Sequence, residues 1–235
     1  MALQVSALSF SPLPGGPAVL EGITFNLPAG ARGLLVGRNG AGKSTLLQLL
    51  SGSKMAPSGS VQVLGEDPFR GRSGQRVVLV SGASPVSAYG DPAMEERMAQ
   101  MKVCEVLGVE APEVASYLGR LMEVLDIHTF WHSCLGHLSD GQRCRVELLR
   151  RLKEPKDVVL LDEITAELDL LVRQDLLDFL AKEGCTVLNV THVFESCAGW
   201  ATHILHLDAG NLEVETVDPA MDVFNVVLQR VQRGN

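Results

Sequence analysis

"LLVGRNGAGKSTLLQLLSG", residues 34–52, decides how the rest of the chain is read. An apolar run meets a glycine-rich turn, which ends in a lysine, two hydroxyls and a second apolar run. Gly37, Gly42, Lys43 and Ser44 match the pattern G-x-x-x-x-G-K-[S/T]. The run before it predicts a buried strand. "TLLQLLSG" predicts a helix, with Leu46, Leu47, Leu49 and Leu50 apolar and Gly52 at its end. Strand, glycine loop and helix is the setting the pattern requires. Across Gly37, Arg38, Asn39, Gly40, Ala41, Gly42, Lys43, Ser44 and Thr45, the glycines let backbone N–H groups turn inward onto phosphate oxygens. The helix N-terminus adds its partial positive charge. Lys43 is placed to reach the β- and γ-phosphates, and Ser44 to ligate Mg²⁺.

Outward from this loop, composition sets limits. The chain has 235 residues, enough for a well-buried core, with 46% hydrophobic and 20% charged residues. A formal net charge of −8 gives no general pull toward nucleic acid or anionic lipid. No apolar run approaches the ~20 residues of a membrane span, and "MALQVSALSF" has no secretory pattern. Five dispersed cysteines fit reduced thiols of a cytoplasmic setting, or the nucleus, better than a disulfide framework. "HTFWHSCLGH" offers His128, His132, Cys134 and His137, but no C-x₂-C pair, so packing and surface roles are expected there rather than zinc. "RCRVELLRRLKEPK" is basic but interrupted by Glu147 and Glu154, and a solvated helix face is expected.

Strand patterns alternate with helical ones along the chain. "LQVSALSF", "VLEGITFNL", "SVQV", "RVVLV", "DVVLLDE" and "CTVLNVTH" read as strands, and "ATHILHLDAGNLEVE" as a hairpin. Residues 91–127 read as mainly helical, with Met94, Met98 and Met101 as a packed stripe. "DGQRCRVELLRRLKE", "LLVRQDLLDFLAKEG" and the C-terminal "MDVFNVVLQRVQRGN" read as further helices. The expectation is an α/β fold: a mostly parallel core sheet, an antiparallel strand group near the N-terminus and a helical insertion. It forms a single domain over 1–235, with the insertion at about 91–150 and an extension at 211–235.

Three more places carry chemistry. "VVLLDE" ends a buried strand in Asp162 and Glu163. Beside a phosphate loop, Asp162 suits Mg²⁺ held through water, and Glu163 suits the orientation or deprotonation of an attacking water. "LSDGQR" opens a helix at Leu138, Ser139, Asp140, Gly141 and Gln142. It is either a second anion site or plain capping by Ser139 or Asp140. His192 follows a buried strand and can hydrogen-bond a phosphate and a water; a structural role is the other reading.

In this order the elements resemble an ATP-binding-cassette (ABC) ATPase. Residues 37–45 resemble its Walker A, "LSDGQ" its LSGGQ signature, "VVLLDE" its Walker B with catalytic glutamate, "AELD" its D-loop through Leu168 and Asp169, and His192 its switch histidine. The match covers about residues 3 to 210. The wording of "LPAGARGLLVGRNGAGKSTLLQLLSG", "VLGEDPF" and "DEITAELDLLVRQDLLDFL" is similar to the small soluble cassette proteins of fungi, plants and algae, which are linked to regulatory roles. The resemblance implies Mg²⁺-dependent ATP hydrolysis with Lys43, Glu163 and His192 catalytic. It also implies two ATP sandwiched in a head-to-tail dimer, a homodimer or a heterodimer with a related cassette protein. In that sandwich the signature of one chain meets the γ-phosphate on the other. A regulatory protein complex is the implied partner, without direct nucleic-acid binding.

The departures are specific. An adenine-stacking aromatic is usual near the N-terminus. Here "LSFSPLP" offers Phe10, and the best-aligned position is Pro12. A glutamine usually follows the strand "VVLV". This chain has "SGASP", with Ser81 and Ser84, and no glutamine between Gln75 and Gln100. Asp140 stands where glycine is usual. The rival readings are the nucleotide-binding subunit of a membrane transporter and an ATP-dependent scaffold that does not hydrolyse.

Overall fold

Short, mostly apolar runs buried at nearly every position are covered on both faces, and three of them form the centre of the molecule. These are β3 (Arg32–Val36), β6 (Val158–Asp162) and β7 (Thr186–Val190). The structure, a computed structural model, describes residues 1–235 apart from 14, 72, 82–91, 110–112, 193–198, 219–225 and 227–235. β5 (Val77–Ser81), β8 (His203–Asp208) and β9 (Asn211–Thr216) complete a six-stranded sheet in the order β5-β6-β7-β3-β8-β9. Its pairs are parallel except the β8–β9 hairpin. A second, antiparallel sheet joins β1 (Leu3–Phe10), β2 (Leu20–Leu27) and β4 (Val61–Val63) in the order β2-β1-β4.

The strand period of two divides the interior into two cores. Leu35, Leu160, Leu188 and Leu205 point to one side, where they meet the antiparallel sheet and helix α1 (Lys43–Leu50). Leu34, Val159, Leu161 and Val187 point to the other. There they meet α3 (Val103–Leu107), α4 (Tyr117–Val124), α5 (Asp140–Leu152) and α6 (Leu170–Lys182). Each fully buried Leu or Val contributes about 1.5–3 kcal/mol relative to exposure, so the two faces hold the sheet rigid beneath its loops.

Two expectations change. The methionine stripe does not form: α2 (Pro92–Gln100) stops before Met101, and Met94 is 43% exposed while Met98 packs on the core. Met101 falls one residue beyond the end of the helix, so only Met94 and Met98 stand on it. The basic stretch of α5 is not simply solvated either. Glu147 is buried on that helix, and Arg150 and Arg151 fold onto its carboxylate at 2.7 and 2.8 Å. A buried charge needs such partners. The expected C-terminal helix and Ser84 lie outside the described residues.

Candidate functional site

Strand register builds the site. Asp162 at the end of β6 pairs with Val190 at the end of β7, and Val190 pairs with Leu35 of β3. The C-terminal ends of three adjacent parallel strands therefore lie side by side, and the loops leaving them meet in one crevice, where open α/β sheets bind ligands. The loop after β3 brings Gly37 to Gly42 and Lys43; β6 brings Asp162 and Glu163; β7 brings Thr191 and His192.

The phosphate loop is shaped by close approaches. A Cβ on Gly37 would lie 2.1 Å from the carbonyl oxygen of Leu207, so no larger residue fits. Gly42 has φ 102, and a Cβ there would come within 2.8 Å of Leu20. α1 begins at this glycine with no side-chain cap and no acidic residue in its first turn. Its first N–H groups are thus available to an external acceptor.

Lys43 is buried, and its ammonium donates to the carbonyls of Gly37 (2.8 Å) and Arg38 (3.0 Å) of its own loop. Burial pulls its pKa below the ordinary lysine value, against the opposing charges of Glu163 and Asp162. Asp162 behaves in the opposite sense: burial raises its pKa, while a hydrogen bond from Ser44 works against the rise. Glu163 has φ 57, the left-handed region a non-glycine residue seldom adopts. Its N–H donates to Val190 at 3.0 Å, which holds the turn. This backbone aims the carboxylate away from the strand, and His192 Nε2 lies 3.0 Å from Glu163 Oε1. A carboxylate only accepts, so in this contact Nε2 is the donor.

Two adjoining clefts open here. One of about 390 Å³ is lined by Val36, Gly37, Arg38, Asn39, Lys43, Thr191 and His192. The other, about 370 Å³, is lined by Val19, Asn39, Gly40, Gly42, Lys43, Ser44, Thr45 and Glu163. Two oxygen ligands that suit Mg²⁺ meet here, the Ser44 hydroxyl and the Asp162 carboxylate that it hydrogen-bonds; water and phosphate oxygens would complete an octahedral ion. Among the described residues no group of three or more His, Cys, Asp or Glu could hold a metal ion, the stretch 128–137 included.

The signature residues Leu138 to Gln142 line neither cleft. Ser139 caps α5: its hydroxyl accepts from Gln142 N–H (3.2 Å), and the Gln142 side chain accepts from Ser139 N–H (3.0 Å). Asp140 is exposed and lies 3.3 Å from Arg143. Gly141 leaves room for a neighbour, since a Cβ would sit 3.0 Å from the carbonyl of Glu167. In the D-loop stretch, Leu168 is buried and its carbonyl accepts from buried Arg173 at 2.7 Å. Asp169 caps α6 through Val172 N–H at 3.0 Å and is ion-paired with Arg145 of α5. The Val172 N–H, first, and Arg145 lower its pKa.

Sequence reasoning missed Val19, Thr191, Arg145 and Arg173. A lone valine or threonine has no local signature, and both arginines looked like surface charge. Phe10 is half-buried against the core that includes α1 and pairs with Leu20, so its ring belongs to packing. Pro12 is exposed.

A family model described as ABC transporter matches residues 20–166. ABC transporter I family member 20 of Arabidopsis thaliana is 34% identical, over 90% of this chain and 68% of its own. CCR4-associated factor 16 of Saccharomyces cerevisiae is 34% identical, over 93% of this chain and 79% of its own. Among solved structures, an ATP-binding subunit of an ABC transporter superposes with a TM-score of 0.76 at 21% identity, covering 99% of this chain and 100% of that one. A dimeric ATP-binding cassette in a post-hydrolysis state, bound to ADP and Pi, gives a TM-score of 0.69 at 18% identity, covering 92% and 99%. These two likenesses concern the fold.

Proposed function

The chain belongs to the ABC ATPase family, and from that premise we propose that it binds ATP in the crevice above β3, β6 and β7 and hydrolyses it to ADP and phosphate. The observation that carries this reading is the convergence of Lys43, Asp162, Glu163 and His192 on that crevice, with His192 3.0 Å from Glu163.

The loop N–H groups and the N-terminus of α1 hold the phosphates. Lys43 exchanges its two loop carbonyls for β- and γ-phosphate oxygens. That exchange is favourable because phosphate oxygens carry full negative charge opposite the ammonium, whereas the carbonyls present only dipoles. Ser44 and Asp162 would hold Mg²⁺, which neutralises charge on the β- and γ-phosphates when bound. Glu163 takes a proton from water as the water oxygen bonds to the γ-phosphorus. The bond from phosphorus to the bridging oxygen breaks, and its electron pair stays on ADP. His192 holds the Glu163 carboxylate and offers its second nitrogen to the water or phosphate.

The signature contributes from a second chain. Within one chain Leu138 to Gln142 line neither cleft, and one solved structure of the same fold is dimeric. ATP binding then closes two chains and hydrolysis opens them, a cycle suited to moving a protein partner. A relative named CCR4-associated factor 16 supports a protein partner. The rival transporter-subunit reading draws on the solved neighbour's description. Against it, the chain has Ser81 and no glutamine at the expected place.

Glu163→Gln tests the assignment. An amide cannot take the water's proton, so turnover should fall by ~10²–10⁴-fold with ATP binding retained. Unchanged steady-state phosphate release would remove Glu163 from the mechanism.

A further inference from the structure

The Glu163 side chain is half exposed toward the crevice, but its backbone is held from two sides. Its φ of 57 lies in the left-handed region, where a non-glycine residue stays only if its surroundings over-determine it. On the β7 side, the Glu163 N–H donates to the Val190 carbonyl at 3.0 Å. On the α5 side, the carbonyl of the next residue, buried Ile164, accepts from the Cys144 thiol at 3.3 Å. Burial pushes the Cys144 pKa up to about 12, so near neutral pH the sulfur keeps its proton and acts as a donor.

Cys144 has neighbours that work along the same line. Gly141, Cys144 and Arg145 are spaced i, i+3 and i+4 and share one face of α5. That face lies along residues 164–169, the segment that leaves Glu163 and ends at Asp169. A Cβ on Gly141 would lie 3.0 Å from the Glu167 carbonyl oxygen, and Arg145 is ion-paired with Asp169. Gly141 and Arg145 meet the far half of the segment, and Cys144 meets the residue beside Glu163.

We propose that Cys144 is a positioning residue for hydrolysis: through the Ile164 carbonyl it keeps the Glu163 turn in the conformation that aims the carboxylate at the attacking water. The proposal rests on the reading of Glu163 as the proton acceptor. It goes beyond that reading in giving a side chain of the signature helix a part in its own chain's hydrolytic site. A thiol is a weak donor, and that sets the scale of the effect. Without it the turn is pinned from β7 alone, so the carboxylate is aimed less often. The phosphate contacts of residues 37–45 are untouched.

Three substitutions separate donor from volume. Cys144→Ser keeps a donor and loses volume, Cys144→Val keeps volume and loses the donor, and Cys144→Ala loses both. Each is read in the full chain as kcat for phosphate release with Mg²⁺, beside ATP Kd, at a temperature where thermal unfolding shows the variant folded. Cys144→Val and Cys144→Ala should lower kcat by about threefold to tenfold, the size of one net hydrogen bond, with ATP Kd unchanged. Cys144→Ser should stay within about twofold of the parent, because a hydroxyl also donates. In single-turnover hydrolysis on the Glu163→Gln background, adding Cys144→Val should cost nothing further, since the carboxylate through which the thiol acts is gone. Parent kcat in Cys144→Val, a Cys144→Ser variant no faster than Cys144→Val, or an undiminished cost on the Glu163→Gln background would overturn the proposal. Glu163→Gln by itself separates the two levels. If it keeps the parent's turnover, the reading of Glu163 fails and this proposal with it. If it loses turnover while all three Cys144 variants keep theirs, the role of Cys144 alone fails.

Discussion

Helices α1 and α5 both begin at glycine-containing turns, and they begin in opposite ways. α1 starts at Gly42, without a side-chain cap and without an acid in its first turn. α5 starts with a closed box, Ser139 and Gln142 satisfying each other's N–H groups, and has Asp140 in its first turn. A helix N-terminus attracts anions through its unsatisfied donors and its dipole. The first end keeps both attractions available. The second has used two donors internally and added a negative charge. The difference teaches that α1 can hold a phosphate alone, while α5 needs one presented to it. Presentation by a second chain supplies that, because a tethered ligand acts at high effective concentration.

The comparison breaks most readily at α1. Lys43→Ala removes charge-assisted bonds worth about 1.5–3 kcal/mol each, so ATP affinity measured by titration calorimetry should fall by ~10–100-fold or more. A loss below threefold would mean that the open end is not where the triphosphate sits. At α5, Ser139→Ala should act on stability instead, costing about 0.5–2 kcal/mol by denaturant unfolding as the cap is lost. Its effect on ATP binding by the single chain should be negligible. A smaller effect is expected for Asp140→Gly. Removing an exposed carboxylate from the approach path of a phosphate should strengthen ATP-driven association of chains a few-fold, most clearly at low salt, where the charge is least screened. Weakened association would show that Asp140 assists closure through Arg143.

What could be read from sequence alone was local. Gly37 to Thr45 carry their own geometry, because glycine spacing, strand and helix all fall within twenty residues. Asp162 and Glu163 were legible because a five-residue apolar strand ends on them, and Ser139 because capping boxes occupy four consecutive residues. The strand order was not legible, and it is what places β6, β7 and β3 side by side. The Glu163–His192 contact joins residues 29 apart, and its 3.0 Å depends on register and on a left-handed backbone that no residue type announced. Arg145 of α5 reaching Asp169 at the start of α6 likewise spans two elements, whereas Arg173 reaches back only to the Leu168 carbonyl ahead of its own helix. Arginine on a helix reads as surface until the neighbouring helix is in place. The methionine stripe failed for the reverse reason. Spacing was right, but the helix ended too soon, and helix ends are weakly encoded where no cap or glycine marks them.

The central claim is that the open end of α1 on one chain and the capped end of α5 on another complete a single nucleotide site. Multi-angle light scattering of Glu163→Gln tests it most directly, because that variant should bind ATP and Mg²⁺ without consuming the nucleotide. A shift from monomer to dimer is expected on adding ATP, and loss of that shift when Ser139→Arg is introduced on the same background. A chain that binds ATP at saturation and stays monomeric at high protein concentration, or a dimer indifferent to Ser139→Arg, would contradict it.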